Sequence, residues 1–264
     1  MLARRIVGSG PPLLLINGYA ATGADWDPAF LAALAESFEV ICPDNRGVGG
    51  SEPGAGELTI DGMAEDMADL LEALTIERCA VAGWSMGGFI AQRLALSAPD
   101  RVSSLALLAT DPGGPDSIPA DPQAWARLID HSGSEREQAS RLISLLFPPP
   151  LAAQIDAEFG EVVAAARAAL DPDVLRAQEA AMASWHGDGG GGPQSGEAPP
   201  TVVLHGDRDE VIPVGNAALL TRRWTGARVE VLSGCGHALM AQEPQRIAAA
   251  IQSAASSQEW ARGI

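Results

Sequence analysis

The chain has 264 residues, enough to bury a substantial core as one large domain or as a domain with an insertion. Its 34 acidic and 17 basic residues give a formal net charge of −17, which disfavours nucleic acids and anionic membranes as partners. Every basic residue is arginine, and the absence of lysine excludes a Walker P-loop, a lysine Schiff base and a Ser-Lys dyad.

The cysteines and the N-terminus bear on the compartment. Cys42, Cys79 and Cys235 are odd in number and lack metal-ligand spacing, which favours a reducing compartment without a disulfide framework. No apolar stretch of signal-peptide length follows the N-terminus, and no run approaches the roughly 20 residues that span a bilayer. We therefore expect a cytoplasmic protein with no membrane partner.

Short apolar runs alternate with helical patterns along most of the chain. The runs that predict buried parallel strands are 13–16, 38–42, 79–82, 102–108, 202–205 and 228–232. The helical patterns span about 29–37, 60–74, 86–98, 214–223 and 244–255. This alternation predicts an α/β fold with a doubly wound, mostly parallel sheet and helices on both faces. Its site is expected at the carboxyl ends of the strands.

The segment 111–200 breaks the alternation. It contains helical stretches separated by prolines and glycines, no clear strand, and it is too long for a loop inside a compact domain. We interpret it as a helical cap inserted into a core formed by residues 1–110 and 201–264. The glycine-rich run 189–193 is interpreted as a flexible return strap, with a hinge as the alternative.

The sequence GWSMGG at positions 83–88 lies between an apolar run and a helical pattern. This context predicts a strand, a tight turn with Ser85 at its apex, and a helix. Such a turn holds the serine backbone in a strained conformation that small flanking residues allow, and the helix N-terminus directs N–H groups at its hydroxyl. The pattern indicates that Ser85 is a nucleophile, although glycine and serine also form ordinary turns.

A serine nucleophile needs an imidazole to take its proton and a carboxylate to orient that imidazole. Among four histidines, His237 lies on a loop between a strand-like run and a helix, where functional residues concentrate. The loop after the run 202–205 carries Asp207, Asp209 and Glu210, and composition does not choose among them. The nucleophile, acid and base thus occur in that order, each just past a strand.

Five ordered motifs resemble the α/β-hydrolase family over nearly the whole chain. Besides the serine turn and the acid and histidine loops, they are Ile16-Asn17-Gly18-Tyr19, similar to the family's oxyanion loop, and DNRGVGGS at 44–51, similar to its D-x-R-G-x-G-x-S turn. The acid loop of the family has glycine, two residues, aspartate, then a proline four residues on. That pattern, here Gly206 to Pro213, implies that Asp209 is the acid.

The resemblance also implies an oxyanion hole made of the backbone N–H groups of Tyr19 and Met86. The family commonly has His-Gly where this chain has Asn17-Gly18, which leaves the role of Asn17 open. Large apolar side chains of the cap are candidates for a pocket roof, and packing between cap helices is the alternative for each. These residues are Trp125, Trp185, Leu146, Phe147 and Phe159. We name Trp125 and Trp185 as the candidate substrate contacts.

Two other patterns fail as sites. The glycines at 47–50 lack the third glycine of a dinucleotide fingerprint, whose place Glu52 takes. Asp61, Glu65 and Asp69 share one helical face, but no histidine lies nearby, which favours a solvated acidic face over a metal site. We expect neither a metal nor a cofactor.

These motifs predict a cofactor-independent serine hydrolase that acts on a small acyl compound, such as a carboxylic ester or lactone. The resemblance leaves open perhydrolysis, carbon–carbon bond hydrolysis, aminopeptidase action and hydroxynitrile cleavage by the same triad. A non-catalytic ligand-binding protein of the same fold is the alternative of a different class. The acyl group, the leaving group, the oligomeric state and the pathway are not determined by the sequence.

Overall fold

The computed structural model describes residues 2–54, 56–187 and 198–261, with side chains described as far as residue 256. Its strands are β1 (Arg4–Gly8), β2 (Pro12–Ile16), β3 (Glu39–Pro43), β4 (Cys79–Trp84), β5 (Val102–Leu108), β6 (Thr201–Gly206) and β7 (Arg228–Leu232). They form one sheet in the order β1-β3-β2-β4-β5-β6-β7. Only β1 pairs antiparallel within this sheet, so the predicted mostly parallel sheet is confirmed.

The helices lie between the strands and after the last one. They are α1 (Pro28–Ala35), α2 (Ile60–Ala73), α3 (Met86–Ser97), α4 (Pro122–Leu128), α5 (Glu135–Leu146), α6 (Pro149–Ala168), α7 (Pro172–Gly187), α8 (Gly215–Arg223), α9 (Leu239–Gln242) and α10 (Pro244–Ala261). The five predicted helices correspond to α1, α2, α3, α8 and α10. The short α9 is an addition to the prediction.

The two faces of the sheet bury separate cores. Successive side chains of a strand point to opposite faces, so Leu14 and Ile16 of β2 join one core and Leu13 and Leu15 join the other. Helices α2 and α3 pack on the first face, and α1 and α10 pack on the second. The sheet is therefore doubly wound, as predicted.

Both edge strands differ from the prediction. The prediction did not include β1, because an exposed antiparallel edge carries little apolar signal, and in this strand only Ile6 and Val7 are apolar. Strand β7 is parallel as predicted but is not buried, since Val229 and Val231 are 49% and 46% exposed. A strand at the edge of a sheet lacks a neighbour on one side, which explains this exposure.

Four helices, α4 to α7, lie between β5 and β6, and no strand occurs in the described part of that segment. The glycine-rich run 189–193 falls within residues 188–197, outside the described residues. None of the helices in the described ranges is long and apolar enough to cross a membrane. The carboxyl ends of β2, β4, β6 and β7 lead directly into the loops that carry the predicted site residues.

Candidate active site

Ser85 lies at the sharp turn between β4 and α3. Its backbone has φ +56° and ψ −123°, a conformation that residues with a side chain rarely adopt. A Cβ atom on Gly83 would collide with the carbonyl of Gly87, and one on Gly87 would collide with the carbonyl of Ile16. The flanking glycines are therefore required by close backbone packing. The Ser85 side chain makes no capping hydrogen bond to α3, and the residue is 8% exposed.

His237 and Asp209 form a direct pair. His237 Nδ1 lies 2.8 Å from Asp209 Oδ2, and both side chains are buried. The indole N–H of Trp84 donates to the His237 carbonyl at 2.9 Å, and the two rings lie 5.2 Å apart. The position of the imidazole is therefore fixed by Trp84, which contacts the ring and the backbone of His237, and by Asp209.

Four donors surround the Asp209 carboxylate. Oδ1 accepts the backbone N–H groups of Val211 and Ile212, each at 2.9 Å. Oδ2 faces His237 and, at 3.3 Å, Nε2 of His205. Burial by itself would raise the pKa of Asp209, but the charge of His237 and the hydrogen bonds from His205 and His237 outweigh it and hold this pKa well below its ordinary value. The carboxylate is thus kept ionised.

His205 is a site residue for which the sequence predicted no role. This residue is fully buried near the end of β6, and its Nε2 lies 2.8 Å from the Ile212 carbonyl as well as near Asp209. Because Nε2 faces two acceptor oxygens, it carries a proton. The available signal was position, since His205 lies at the carboxyl end of a strand, four residues before Asp209.

The other two acidic residues of this loop lie elsewhere. Asp207 accepts the N–H of Gly234 at 2.7 Å and the Ser233 hydroxyl at 3.1 Å, so it ties the acid loop to the histidine loop. Glu210 is half exposed and has Arg127 at 3.8 Å as its ion partner. Of the three candidates, the structure brings Asp209 to His237.

Asn17, whose role the sequence left open, braces the loop after β2. Its Oδ1 accepts the Gly18 N–H at 2.9 Å, and its Nδ2 donates to the Thr22 carbonyl at 2.6 Å. The Asn17 carbonyl in turn accepts from Asn45 of the 44–51 turn at 3.0 Å. The Gly18 N–H is therefore occupied. The backbone N–H groups of Tyr19 and Met86 have no hydrogen-bond partner among the described residues.

Helix α7 holds the same loop from the other side. Gln178 accepts the Ala20 N–H at 3.0 Å, and Ala20 has a left-handed backbone with φ +57°. The Tyr19 hydroxyl donates to Glu179 at 2.6 Å, and burial raises the pKa of this hydroxyl. The loop that bears the predicted oxyanion donor is thus anchored to a helix of the 111–200 segment.

A cavity of about 1130 Å³ lies between the sheet and helices α4 to α7. Ser85, His237 and Asn17 contribute to its wall, which is mostly apolar. The Ser85 and His237 side chains form no hydrogen bond to each other in this arrangement. Such contacts are often long in an unliganded enzyme and shorten when substrate binds.

The two predicted tryptophan contacts differ in position. Trp125 is half-buried on α4 and lines the cavity, as do Leu146, Phe147 and Phe159. Trp185 is 2% exposed and is not among the cavity-lining residues of the described chain. It stacks on Phe89 at 5.2 Å and donates to Asp111 Oδ1 at 3.2 Å. Its packing makes it a core residue in this structure.

A second histidine–carboxylate pair also lines the cavity. His186 Nε2 lies 2.9 Å from Oδ2 of Asp111, which follows β5. Asp111 is 3% exposed, and its Oδ1 also accepts the Gly113 N–H at 2.8 Å. Both residues of the pair lie in the segment 111–200, for which the sequence predicted a helical cap and no catalytic group. Their location beyond a strand end was the signal that could have singled out Asp111.

The cysteines and acidic clusters show no site of their own. All three cysteines are buried and free, and burial raises the pKa of the Cys42 and Cys79 thiols to about 12. Burial also raises the pKa of Cys235. Within the described residues, no group of three or more histidine, cysteine or carboxylate side chains is arranged to hold a metal ion.

Comparisons with known proteins give the family. An uncharacterised protein of Mycobacterium tuberculosis is 30% identical over 270 residues, covering 92% of this chain and 75% of that protein. The pimeloyl-acyl-carrier-protein methyl ester esterase of Nitrosomonas europaea is 28% identical and covers 90% of this chain and 93% of its own. The structure of a hydrolase from Pseudomonas aeruginosa matches with a TM-score of 0.77 and 29% identity, over 96% of this chain and 93% of that chain.

Residues 11–244 match the sequence model of the alpha/beta hydrolase fold. That match spans the sheet from β2 to β7 and includes every candidate site residue described above. The chain therefore belongs to the α/β-hydrolase family.

Proposed function

We propose that this protein is a serine hydrolase that cleaves a small carboxylic ester or lactone with Ser85, His237 and Asp209. The observation that carries the proposal is the 2.8 Å contact between His237 Nδ1 and Asp209 Oδ2, in a site where His237 and Ser85 line the same cavity. A carboxylate on Nδ1 leaves Nε2 of the imidazole to act as the base. No group of the cap is needed for this chemistry.

The first half of the reaction is acyl transfer to the enzyme. Ser85 Oγ attacks the ester carbonyl while His237 Nε2 takes the hydroxyl proton, and Asp209 stabilises the imidazolium that forms. The carbon–oxygen bond to the leaving alcohol then breaks, and His237 returns the proton to that alcohol. In the second half, water attacks the acyl-serine with the same base, releasing the acid and restoring Ser85.

The oxyanion that develops in both halves requires donors. We assign this role to the backbone N–H groups of Tyr19 and Met86, which lack partners among the described residues. Met86 is the first residue of α3, so the N-terminus of this helix adds a favourable dipole. Loss of one oxyanion donor typically costs about 3 kcal/mol of transition-state stabilisation. Asn17 supports this site by fixing the loop and does not donate to the oxyanion.

The helices of 111–200 act as a cap over a core of 1–110 and 201–264. Helices α4, α5 and α6 supply apolar wall residues such as Trp125 and Phe159, while Ser85, His237 and Asp209 lie on loops of the sheet. A cover of this kind excludes water and shapes the acyl pocket. A small ester as substrate is further supported by the similarity to the esterase of Nitrosomonas europaea.

The decisive test is active-site labelling combined with turnover. A fluorophosphonate should modify Ser85 stoichiometrically in the native protein, and a peptide digest should locate the adduct. Ser85→Ala should abolish labelling and reduce the hydrolysis of 4-nitrophenyl acetate by at least about a thousandfold, with an unchanged circular dichroism spectrum. Ser104→Ala, a buried serine of β5 away from the cavity, is the matched control.

Two results would contradict the proposal. Full turnover by Ser85→Ala would rule out Ser85 as the nucleophile. A native protein that is not labelled and that hydrolyses no ester or lactone would favour a ligand-binding role. A peroxide-dependent assay on the same preparation distinguishes perhydrolysis from hydrolysis, because both reactions use the acyl-serine and differ in the molecule that attacks it.

A further inference from the structure

Arg167 is a buried cation in the wall of the catalytic cavity. It lies in the last turn of α6 and is 8% exposed, and it lines the same cavity as Ser85 and His237. Its Nε and Nη1 atoms are shielded from solvent and have no hydrogen-bond partner among the described residues. No carboxylate of the described residues lies within 4.0 Å of its guanidinium nitrogens.

Several other arginines of the described chain pair directly with carboxylates. Arg46 forms two hydrogen bonds to Asp66, and Arg136 is bonded to Asp156 and Glu161. A guanidinium keeps its proton at every physiological pH, so Arg167 cannot avoid the cost of burial by becoming neutral. The helix C-terminus offsets that cost only modestly. A buried charge with too few acceptors is unfavourable, and an anionic partner would offset that cost.

The carboxylates of the cavity wall are already used by other donors. Asp111 accepts from Trp185, Gly113 and His186. Asp25 accepts from the backbone N–H and the hydroxyl of Thr22, and Asp27 caps α1 by accepting the Phe30 N–H. The Tyr19 hydroxyl forms a hydrogen bond with Arg167 and donates to Glu179, but it is neutral and does not balance the charge of the guanidinium. Arg167 is the arginine among the described cavity-lining residues, and no direct carboxylate contact within those residues balances its charge.

We propose that Arg167 binds a carboxylate of the substrate, so that the enzyme selects esters that carry a second, anionic carboxyl group. A planar guanidinium matches a carboxylate in charge and geometry. The apolar wall between Arg167 and the serine site would hold the hydrocarbon chain that joins the two groups. This inference rests on the proposed esterase function, and it names the class of substrate for that site.

Matched pairs of esters test the selectivity. In one series the carboxylate is on the acyl side: monomethyl succinate, glutarate, adipate and pimelate are compared with methyl esters of the monocarboxylic acids of equal chain length. In the other it is on the alcohol side: acetate esters of ω-hydroxy acids are compared with acetates of plain alcohols. Acid release at constant pH gives kcat/KM. We expect the charged ester to be preferred about tenfold or more in one of the series.

Arginine variants connect any preference to the proposed contact. Arg167→Met should remove most of the ratio between charged and neutral esters, while Arg167→Lys, which keeps the charge, should retain part of it. Arg176→Met is the control for removal of one positive charge, because Arg176 is exposed on α7 and pairs with Asp173. It should leave the ratio unchanged. Absence of a preference in both series, or a preference that Arg167→Met retains in full, overturns the inference.

A binding measurement separates this inference from the proposed function. Glutarate and pimelate are titrated into Ser85→Ala by calorimetry, with Ser85→Ala/Arg167→Met and Ser85→Ala/Arg167→Lys as comparisons. Binding that weakens about tenfold in the Met variant supports the Arg167 site even if no ester is hydrolysed. Ester hydrolysis that depends on Ser85, without dicarboxylate binding and without a charged-ester preference, overturns the Arg167 site alone.

Discussion

Asp209 Oδ2 lies between two histidines, 2.8 Å from His237 Nδ1 and 3.3 Å from His205 Nε2. His205 is fully buried, and its Nε2 is shared between this carboxylate and the Ile212 carbonyl. Its hydrogen bond withdraws negative charge from the oxygen that faces His237. We therefore regard His205 as a positioning residue that tunes how strongly Asp209 holds the imidazolium.

His205→Phe should lower kcat about tenfold, because one hydrogen bond to a charged group is lost, with little change in KM. The acid limb of the kcat/KM profile should move to higher pH, since a carboxylate with one donor fewer holds the imidazolium proton more tightly. His205→Gln supplies an amide donor and should restore most of the wild-type profile. Identical pH profiles for the Phe and Gln variants would reduce His205 to a packing role.

The two aspartates of the acid loop should differ sharply in kinetics. Asp209→Asn should reduce kcat by about ten thousandfold, because an amide supports the wrong imidazole tautomer. Asp207→Asn should change kcat by less than about threefold, because the hydrogen-bond and ion-pair partners of Asp207 among the described residues are Ser233, Gly234 and Arg208, and none of them is a proposed catalytic group. Steady-state assays with 4-nitrophenyl acetate measure both. The opposite ranking of the two variants would transfer the orienting role to Asp207.

Acid should weaken the contribution of Asp209 to stability. Its folded-state pKa is lowered, so the stabilisation is complete above the unfolded pKa of about 3.9 and is lost as the pH falls through the folded value. Urea unfolding of the wild type and Asp209→Asn, between pH 5 and pH 2, measures the contribution of Asp209 to the free energy of unfolding. We expect the difference in the free energy of unfolding to shrink below about pH 4. A constant difference over that range would be inconsistent with a lowered pKa.

The backbone strain at Ser85 should appear as a stability difference between two inactive variants. Ser85→Gly should be more stable than Ser85→Ala by about 1 kcal/mol, since the strain of about 1–3 kcal/mol exceeds the entropic cost of glycine. Ser184, an exposed residue of α7, provides the control pair. There the glycine variant should be the less stable one by about 1 kcal/mol. If chemical denaturation shows the alanine variant to be more stable than the glycine variant at both positions, backbone strain at Ser85 is contradicted.

The tryptophans of helices α4 and α7 should respond differently to truncation. Trp125→Ala should shift the preferred acyl chain length by roughly ten- to a few-hundredfold in kcat/KM, because apolar contacts of this size discriminate by about 1–3 kcal/mol. Trp185→Ala should instead lower the free energy of unfolding by about 3–5 kcal/mol, since Trp185 is packed against Phe89. Kinetics with a graded ester series and thermal unfolding distinguish the two effects. A Trp185→Ala protein of normal stability with altered chain-length preference would contradict this division.

The predictable parts of the fold were those with strong periodicity or forced geometry. Buried parallel strands such as β4 are continuous apolar runs, and the glycines around Ser85 are imposed by backbone contacts that no larger residue permits. Strand β1 was missed because hydrogen bonding to β3 defines it, and little of its side-chain surface is buried. Such pairing leaves almost no trace in a local sequence pattern.

The unpredicted site residues owe their position to tertiary packing. Arg167 is one arginine in the long helix α6, and nothing in the surrounding sequence indicates that it lines the cavity with no carboxylate contact among the described residues. Trp185 and Trp125 are equivalent in a sequence pattern, yet one is buried against α3 and the other lines the cleft. These distinctions arise from how helices α4 to α7 pack on the sheet, which depends on contacts between residues that are distant in the chain.

Two hydrogen bonds join α7 to the loop after β2, and they link the opening of the cavity to the activity of the site. Gln178 holds the Ala20 N–H, and Glu179 holds the Tyr19 hydroxyl, so α7 cannot lift away without releasing that loop. On the proposed mechanism, a cleft opened in this way would lose one of the donors that stabilise the oxyanion. The enzyme would then react roughly a hundredfold more slowly whenever α7 is displaced, so a cleft open to water would also be a less active one.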